Sequence, residues 1–257
     1  MTELLANRPA EVVSPPTLNA PEGVRLVRLR LADRPGSLAK VTEILAVHEV
    51  DVLRLEIVAQ ESGWATDDFL VKGKKVREAL RVLGATDGIS VLTCRDGVDL
   101  PDPGMAMAAA CALVSFANSR RHAYRQLVHA ALSLVFAEAA VVSILTEDSL
   151  RPVAATVSGL PPAPSEQASL LLSSLHSGQP LSADGRVPWT SATGWRDRLP
   201  KGTVACIPGG PGLVLTLVRK DDTPFVDAEL SRLAALVRVT LGTLRMHEFR
   251  RDPEVVA

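Results

Sequence analysis

Hydrophobic and charged residues alternate along several short stretches of the first hundred residues. In the first of these stretches Val27, Leu29 and Leu31 point one way, whereas Arg28 and Arg30 point the other. A period of two residues with one charged side is typical of a half-buried β-strand. The pattern therefore predicts a strand that ends just before residue 33.

The next residues change from the strand period to the helical period. Apolar residues recur at helical spacing in the order Leu38, Val41, Ile44, Leu45 and Val47. This stripe predicts an amphipathic helix that packs one face on a sheet. Residues 33–38 therefore form the connection between a strand and a helix.

Three residues of this connection have properties that suit a helix start. Asp33 is expected to cap the free N–H groups, and Pro35 is expected in the first helical turn, where its missing N–H is harmless. Gly36 has no side chain, so that another molecule can approach the backbone. Open N–H groups at a helix start attract a carboxylate. The alternative is a well-formed turn with no ligand.

The following segments complete a β-α-β-β-α-β order. Further strands are predicted at 50–58, 64–71 and 88–93, and a short helix at 74–83. This is the ferredoxin-like order. With Asp-Arg-Pro-Gly-Ser-Leu-Ala at the first turn and Asp67-Asp68-Phe69 in the third strand, residues 24–94 resemble an ACT domain, a small regulatory module that binds amino acids.

The resemblance implies a site and a partner. ACT units commonly pair side by side, and ligands bind where the pieces meet. The implied ligand is a free amino acid, with its ammonium near Asp33 and its carboxylate on the N–H groups of Gly36, Ser37 and Leu38. The full implied set is Asp33, Arg34, Pro35, Gly36, Ser37, Leu38, Asp51, Val52 and Leu53.

The charged side of the first two strands allows two interpretations. Arg28, Arg30, Arg54 and Glu56 fall on positions that the helices do not cover. Charged strand positions usually form a solvated face, and we expect that here. The alternative is that this face meets a second domain.

A second domain is predicted after a linker at residues 96–104, where two prolines and two glycines break regular structure. The predicted order is two helices at 105–136 with a break at 118–121, a hairpin within 139–157, a helix at 165–177, a long connection, two strands and a helix at about 227–249. The ending Arg219-Lys-Asp-Asp, Pro224-Phe225 and Asp227-x-Glu229 is its best local match to a known family. Residues 105–250 resemble a GAF domain.

The GAF resemblance implies a small-molecule pocket and dimerisation through flanking helices. Trp189 and Trp195 lie in the long connection. They either line this pocket or fill the core beneath a loop, and we favour the second interpretation. The apolar stripe of the last helix packs either on the GAF sheet or on its twin in a dimer, and the two interpretations are compatible if they apply to different positions along the helix. The predicted fold class is α+β, with an ACT-like domain at 23–95 followed by a GAF-like α/β sensor domain at 105–250.

Composition narrows the function classes. The chain has 257 residues and a net charge of −1, so that it has no overall positive potential to attract nucleic acid. It contains one Tyr, five Phe and three Trp, which are too few to predict base stacking. The three scattered cysteines fit a reducing compartment. We predict a cytoplasmic protein without a membrane segment, a mobile N-terminal tail at 1–22 and a C-terminal tail at 251–257.

The sequence contains no set of residues that predicts catalysis. The five histidines are scattered, and no metal-binding spacing, nucleophile elbow, phosphate loop or dinucleotide fingerprint is present. Cys206 in an apolar strand is expected to be a buried small hydrophobe. We therefore predict a non-enzymatic sensor, without cofactor or metal, which signals through a homodimer or an unidentified protein partner. A scaffold without a ligand is the principal alternative.

Overall fold

A computed structural model describes residues 10–13, 23–96, 103–135, 137–146, 149–164, 181–183, 202–210, 212–220 and 225–251. The chain divides into two compact units. The N-terminal unit comprises residues 17–102 with 226–228, and the C-terminal unit comprises residues 1–16, 103–225 and 229–257.

The helices and strands of the described residues are as follows, in chain order. They are β1 (Glu11–Val12), β2 (Val24–Ala32), α1 (Ser37–Val47), β3 (Asp51–Glu61), β4 (Trp64–Lys72), α2 (Val76–Gly84), β5 (Ile89–Asp96), α3 (Pro103–Ser115), α4 (Arg120–Leu134), β6 (Ala139–Leu145), β7 (Ser149–Ala155), β8 (Ala163–Pro164), β9 (Leu181–Ala183), β10 (Val204–Pro208), β11 (Leu213–Val218) and α5 (Asp227–Arg251). The fold is a mixed α+β fold.

The N-terminal unit has the element order β-α-β-β-α-β that the sequence predicts. Its sheet has the order β3-β4-β2-β5, and every neighbouring pair is antiparallel. Val27, Leu29 and Leu31 are at most 2% exposed and belong to a core formed with both helices. The predicted inward face of the first strand is thus confirmed.

Helix α1 buries a narrower stripe than the sequence predicts. Val41 and Leu45 are buried, and Ile44 packs against the core. Leu38 is 38% exposed and Val47 is 73% exposed, so that the two ends of the predicted stripe do not face the core. Apolar periodicity identifies the helix, but not how much of it the sheet covers.

The prediction of a solvated charged face is wrong at Arg28. This residue is 2% exposed, and its guanidinium donates to both carboxylate oxygens of Asp68 at 2.7 and 2.8 Å. A buried charge is tolerated because the bidentate pair satisfies both partners. Arg30 is exposed as predicted, and Arg54 is half-buried.

The C-terminal unit is a sheet with helices on one face. Among the described residues its strand order is β1-β7-β6-β11-β10-β9, and β8 also pairs with β7. The predicted hairpin at 139–157 and the predicted strand pair around residues 208–212 are both present. A large core joins α3, α4 and α5 to the sheet.

Two helix predictions in this unit are confirmed. The predicted break at 118–121 separates α3 from α4, and the Ser119 hydroxyl caps α4 by accepting from the His122 N–H at 3.2 Å. In α5, Leu233 and Val237 are fully buried in the same core as the sheet. This stripe therefore packs on the sheet of its own chain, which is the first of the two predicted interpretations.

Three of the residues that carried the GAF resemblance, Arg219, Phe225 and Glu229, form a buried cluster. Arg219 is 1% exposed, and its guanidinium donates to the Glu229 carboxylate at 2.9 Å. The same guanidinium lies 4.0 Å from the ring centroid of Phe225. The cluster ties the end of β11 to the first turns of α5.

Part of the predicted N-terminal tail is an ordered strand, which corrects the prediction for residues 10–13. Strand β1 pairs in parallel with β7, and the Val13 N–H donates to the Ala155 carbonyl at 2.7 Å. Val13 is 2% exposed. The Glu11 carboxylate accepts from Arg121 at 2.7 Å and lies 3.3 Å from Arg125. Two residues of strand are too short for a periodic signal.

Several predictions fall outside the described residues. These are the rest of the tail at 1–22, linker residues 97–102, the helix at 165–177, the residues Trp189 and Trp195, and the C-terminal tail from 252 onward.

Candidate ligand-binding site

Residues 33–38 form a tight connection between β2 and α1. The Asp33 N–H donates to the Gly63 carbonyl at 2.8 Å, which ties the turn to the β3–β4 hairpin. The Arg34 N–H donates to the Ala32 carbonyl at 2.9 Å, and the Ser37 N–H donates to the Arg34 carbonyl at 3.2 Å. The turn is therefore held by its own backbone.

The helix begins differently from the sequence prediction. Gly36 is the N-cap residue, and no side chain caps the helix, so that the predicted cap by Asp33 is wrong. Pro35 lies before the cap and outside the first helical turn. Gly36 has φ +91°, a left-handed conformation that favours glycine. The space where a Cβ would stand is empty within 4 Å.

The start of α1 faces outward with unused donors. Residues 33–36 are exposed, and Ser37 is half-buried. The Ser37 amide is occupied by Arg34, so it is not one of the open donors that the sequence predicts. The Leu38 and Ala39 amides make no backbone hydrogen bond within the described part of the chain, because they are the next two N–H groups of the helix. These two amides are therefore the open donors of the turn.

Asp67 is a candidate site residue that the sequence reasoning missed. It lies on β4 between Leu29 of β2 and Ile57 of β3, on the face that carries the helices. The side chain is buried, with the residue 4% exposed, and its Oδ1 atom has no hydrogen-bond partner in the part of the chain that the structure describes. An unpaired buried carboxylate is costly.

The electrostatics of Asp67 connect it to the turn. Burial, followed by the negative charges of Asp68 and Asp33, raises the pKa of its carboxyl group from 3.8 to about 6. The charge of Asp33 acts on Asp67 because the turn lies close to this part of β4. The sequence signal that could have found it is a charged residue at an inward position of a strand.

The structure separates the two halves of the predicted site. The turn follows Ala32, which pairs with Trp64, whereas Asp51 pairs with Lys72 at the other end of β4. Eight residue steps of β4 amount to roughly 26 Å. Within one chain, Asp51, Val52 and Leu53 therefore do not reach the turn. Val52 and Leu53 are exposed, at 38% and 51%.

Two other predicted features have simple surroundings. Cys206 is 1% exposed, and burial raises the pKa of its thiol, as expected for a small buried hydrophobe. His122 contacts Asn118, which precedes its helix, at 3.1 Å and Gln126 on the same helix at 2.8 Å. In the part of the chain described here, no three His, Cys, Asp or Glu side chains are grouped to hold a metal ion.

None of the described helices combines the length and the apolar character needed to cross a bilayer.

Comparisons with known proteins give partial similarities. No protein-family model and no curated protein matches the chain. A GAF domain/HD domain protein from Geobacter sulfurreducens has 19% identity and a TM-score of 0.42, over 53% of this chain and 98% of that one. The GAF domain of a phosphoenolpyruvate-protein phosphotransferase from Coxiella burnetii has 17% identity and a TM-score of 0.44, over 58% of this chain and 96% of that one.

A third similar structure is the GAF domain of an Acinetobacter phosphoenolpyruvate-protein phosphotransferase, with 14% identity and a TM-score of 0.41, over 56% of this chain and 93% of that one. All three are GAF domains, which is the family that residues 105–250 resemble. None of the three is an ACT domain, so that the ACT resemblance stays a prediction. TM-scores below 0.5 do not establish a family for the chain.

Proposed function

We propose that this protein is a non-catalytic regulatory sensor that binds a free α-amino acid at the Asp33–Leu38 turn of an ACT-like N-terminal unit. It is cytoplasmic, and it signals through its oligomeric state or through a protein partner. The observation that carries the proposal is the buried carboxylate of Asp67, whose Oδ1 atom has no hydrogen-bond partner among the described residues, near a helix start with open amides.

The ammonium group of an amino acid suits the acidic side of this site. Asp33 is exposed, Asp67 is buried, and the negative charge of Asp33 makes ionisation of Asp67 less favourable. A cation between them removes this repulsion and favours the ionised form of Asp67. Because Asp67 is almost fully buried, the exposed turn has to move for a ligand to reach it.

The carboxylate group suits the start of α1. The amides of Leu38 and Ala39 point out of a helix of eleven residues, whose dipole favours negative charge at this end. A zwitterion then has a donor pair for its carboxylate and acidic groups for its ammonium. A ligand with only a carboxylate or only an ammonium would satisfy either the open amides or the acidic groups, but not both.

A second copy of the chain completes the predicted residue set. Strand β3 is at the edge of the described sheet and exposes Val52, Leu53 and Ile57. Two β3 strands related by a two-fold axis run antiparallel, so that the start of one lies beside the end of the other. This arrangement brings Asp51, Val52 and Leu53 of the second copy toward the end of the sheet that carries the turn. The proposed sensor is therefore a homodimer.

The mechanism is linkage between ligand and assembly. A ligand that touches both copies binds the dimer better than the monomer and shifts the population toward the dimer. By reciprocity, dimerisation raises the affinity for the amino acid by the same factor. A second small ligand in the GAF-like unit stays a sequence prediction.

The test is a thermal-shift and calorimetric screen of the full chain against the twenty amino acids. At about 100 times the dissociation constant, a ligand adds about 2.7 kcal/mol to the free energy of unfolding. We expect one or two amino acids to raise Tm by a few degrees and Asp67→Asn to abolish the shift.

Glu43→Gln is the matched control, because it removes an exposed carboxylate from the same unit. It is expected to keep the shift. If no amino acid shifts Tm or releases heat, the amino-acid proposal is wrong and the scaffold alternative is favoured. If the shift survives in Asp67→Asn, the ligand binds elsewhere.

A further inference from the structure

A cavity lies in the N-terminal unit, at the end of the sheet opposite to the Asp33–Leu38 turn. Its volume is about 340 Å³, and it is lined by Arg25, Arg77, Leu80, Arg81 and Cys94. Arg25 is near the start of β2 and Cys94 is near the end of β5, whereas the other three residues belong to α2. The cavity is thus a cleft between a helix and two neighbouring strands. Pockets of this size hold small ligands.

The cationic groups of this cleft come from two elements. Arg77 and Arg81 are four residues apart, so that they lie on the same side of α2. Both are exposed, and neither forms an ion pair with any residue that the structure describes. Arg25 adds a third guanidinium from the sheet. The like charges of Arg77 and Arg81 repel one another unless an anion lies beside them.

The chemistry of the lining selects the kind of anion. Guanidinium groups present paired N–H donors that match the oxygens of phosphate, and several of them suit a dianion with three terminal oxygens. Leu80 adds an apolar wall, which suits a carbon skeleton attached to the phosphate. One water occupies about 30 Å³ in the liquid. The cavity of about 340 Å³ therefore has room for more than a bare phosphate ion, which is only a few times larger than a water.

We propose that the cleft between α2, β2 and β5 is a binding site for a small phosphate monoester, held by Arg77 and Arg81 with Arg25 at its base. The site is independent of the proposed amino-acid site, because the two lie at opposite ends of the sheet. An absent amino-acid response therefore leaves this proposal intact, and the reverse also holds.

Cys94 provides a direct readout of occupancy. Its side chain is exposed and lines the cleft, whereas Cys206 is buried. The experiment uses the full chain with Cys111→Ser, so that Cys94 is the accessible thiol. The rate of alkylation by neutral iodoacetamide is measured against increasing glycerol 3-phosphate at constant ionic strength. We expect saturable protection of the thiol, with little protection by sodium chloride.

Variants identify the groups that bind. Arg77→Gln and Arg81→Gln are each expected to weaken the protection about tenfold or more, because a charge-assisted hydrogen bond is lost. Arg245→Gln removes an exposed charge from the C-terminal unit and is the matched control, expected to leave protection unchanged. A thermal shift with glycerol 3-phosphate in a Cys94→Ser background checks that the ligand binds without the thiol.

Three results would overturn the proposal. The first is no saturable protection by glycerol 3-phosphate, and the second is equal protection in Arg77→Gln, Arg81→Gln and the parent protein. The third is protection by the dicarboxylate glutarate at lower concentration than by glycerol 3-phosphate, which assigns the site to carboxylates instead.

Discussion

At the scale of single residues, Asp67 and Asp68 are neighbours in sequence with opposite electrostatic surroundings. Asp68 faces away from the helices and is neutralised by a bidentate arginine, whereas Asp67 faces the helices with an unpartnered oxygen. Alternation along β4 places them on opposite faces. Asp68 thus belongs to a buried ion pair on one face, whereas Asp67 is the proposed ammonium partner on the other.

Asp67 makes stability fall as the pH rises. Its pKa is about 6 in the folded chain and near 3.8 when unfolded, so that between these values the folded state binds more protons. The free energy of unfolding is therefore expected to decrease by about 1 to 3 kcal/mol from pH 4 to pH 7. Urea unfolding at a series of pH values measures this, and Asp67→Asn should remove that part of the slope. If Asp67→Asn left the pH dependence of the free energy of unfolding unchanged, the Asp67 carboxylate would have to be hydrated in the folded chain, and the prediction would be wrong.

Amino-acid binding is expected to have the opposite pH dependence. The ammonium group requires the ionised form of Asp67, which is lost as the pH falls through about 6. The dissociation constant should rise about tenfold per pH unit well below 6, because one proton competes with the ligand. Calorimetry between pH 5 and 8 measures both the constant and the proton released. Binding that is equally tight at pH 5 would exclude Asp67 as the ammonium partner.

Arg28 is expected to be essential for stability because Asp68 is buried with it. Arg28→Met leaves a buried carboxylate without its partner and should cost about 3 to 5 kcal/mol. The double variant Arg28→Met with Asp68→Leu removes both charges and should recover most of the loss. Urea unfolding of the parent protein, both single variants and the double variant gives the coupling free energy between Arg28 and Asp68. A double variant as unstable as Arg28→Met would mean that packing, not charge, decides the cost.

At the scale of the elements, the β2–α1 turn depends on one backbone conformation. Gly36 has φ +91° with open space around it, so that a methyl group meets no atom but still strains the backbone. Gly36→Ala is expected to destabilise the chain by about 1 to 2 kcal/mol. Gly84→Ala, at the exposed end of α2 with ordinary contact at 3.9 Å, is the matched control and should be neutral or stabilising. If Gly36→Ala and Gly84→Ala changed Tm equally, the predicted backbone strain at residue 36 would be contradicted.

Much of the element order could be predicted from the sequence, because apolar periodicity is local. The β-α-β-β-α-β order, the hairpin at 139–157 and helix α5 all follow from alternation or helical spacing. Helix caps were less predictable, since Asp33 and Gly36 are both plausible cap residues and the backbone decides between them. The burial of Arg28 and the unpaired state of Asp67 depend on strand neighbours about forty residues away, which one-dimensional patterns do not show.

At the scale of the whole molecule, the proposed amino-acid site requires two chains. The turn and Asp51 lie at opposite ends of β4, and an antiparallel pair of β3 edges is the arrangement that unites them. Edge strands with exposed apolar side chains readily pair with another chain. Ile57, at 57% exposure, lies in the second half of β3 and opposite Asp67, which places it at the proposed interface and beside the proposed site.

Ile57→Lys is therefore expected to weaken the dimer and amino-acid binding together. A lysine at this edge opposes pairing by charge repulsion across the two-fold axis and by the cost of burying its ammonium. Sedimentation velocity at several concentrations measures the assembly, and calorimetry with the amino acid from the screen measures binding.

Val82→Lys is the matched control, because Val82 is 42% exposed on α2, which packs beside β5 at the other edge of the sheet. A monomeric Ile57→Lys that binds the amino acid as tightly as the parent would show that one chain suffices. A parent protein that is monomeric with and without the amino acid would exclude the shared site, whereas parallel loss of assembly and affinity is the linkage that a ligand bound between two copies requires.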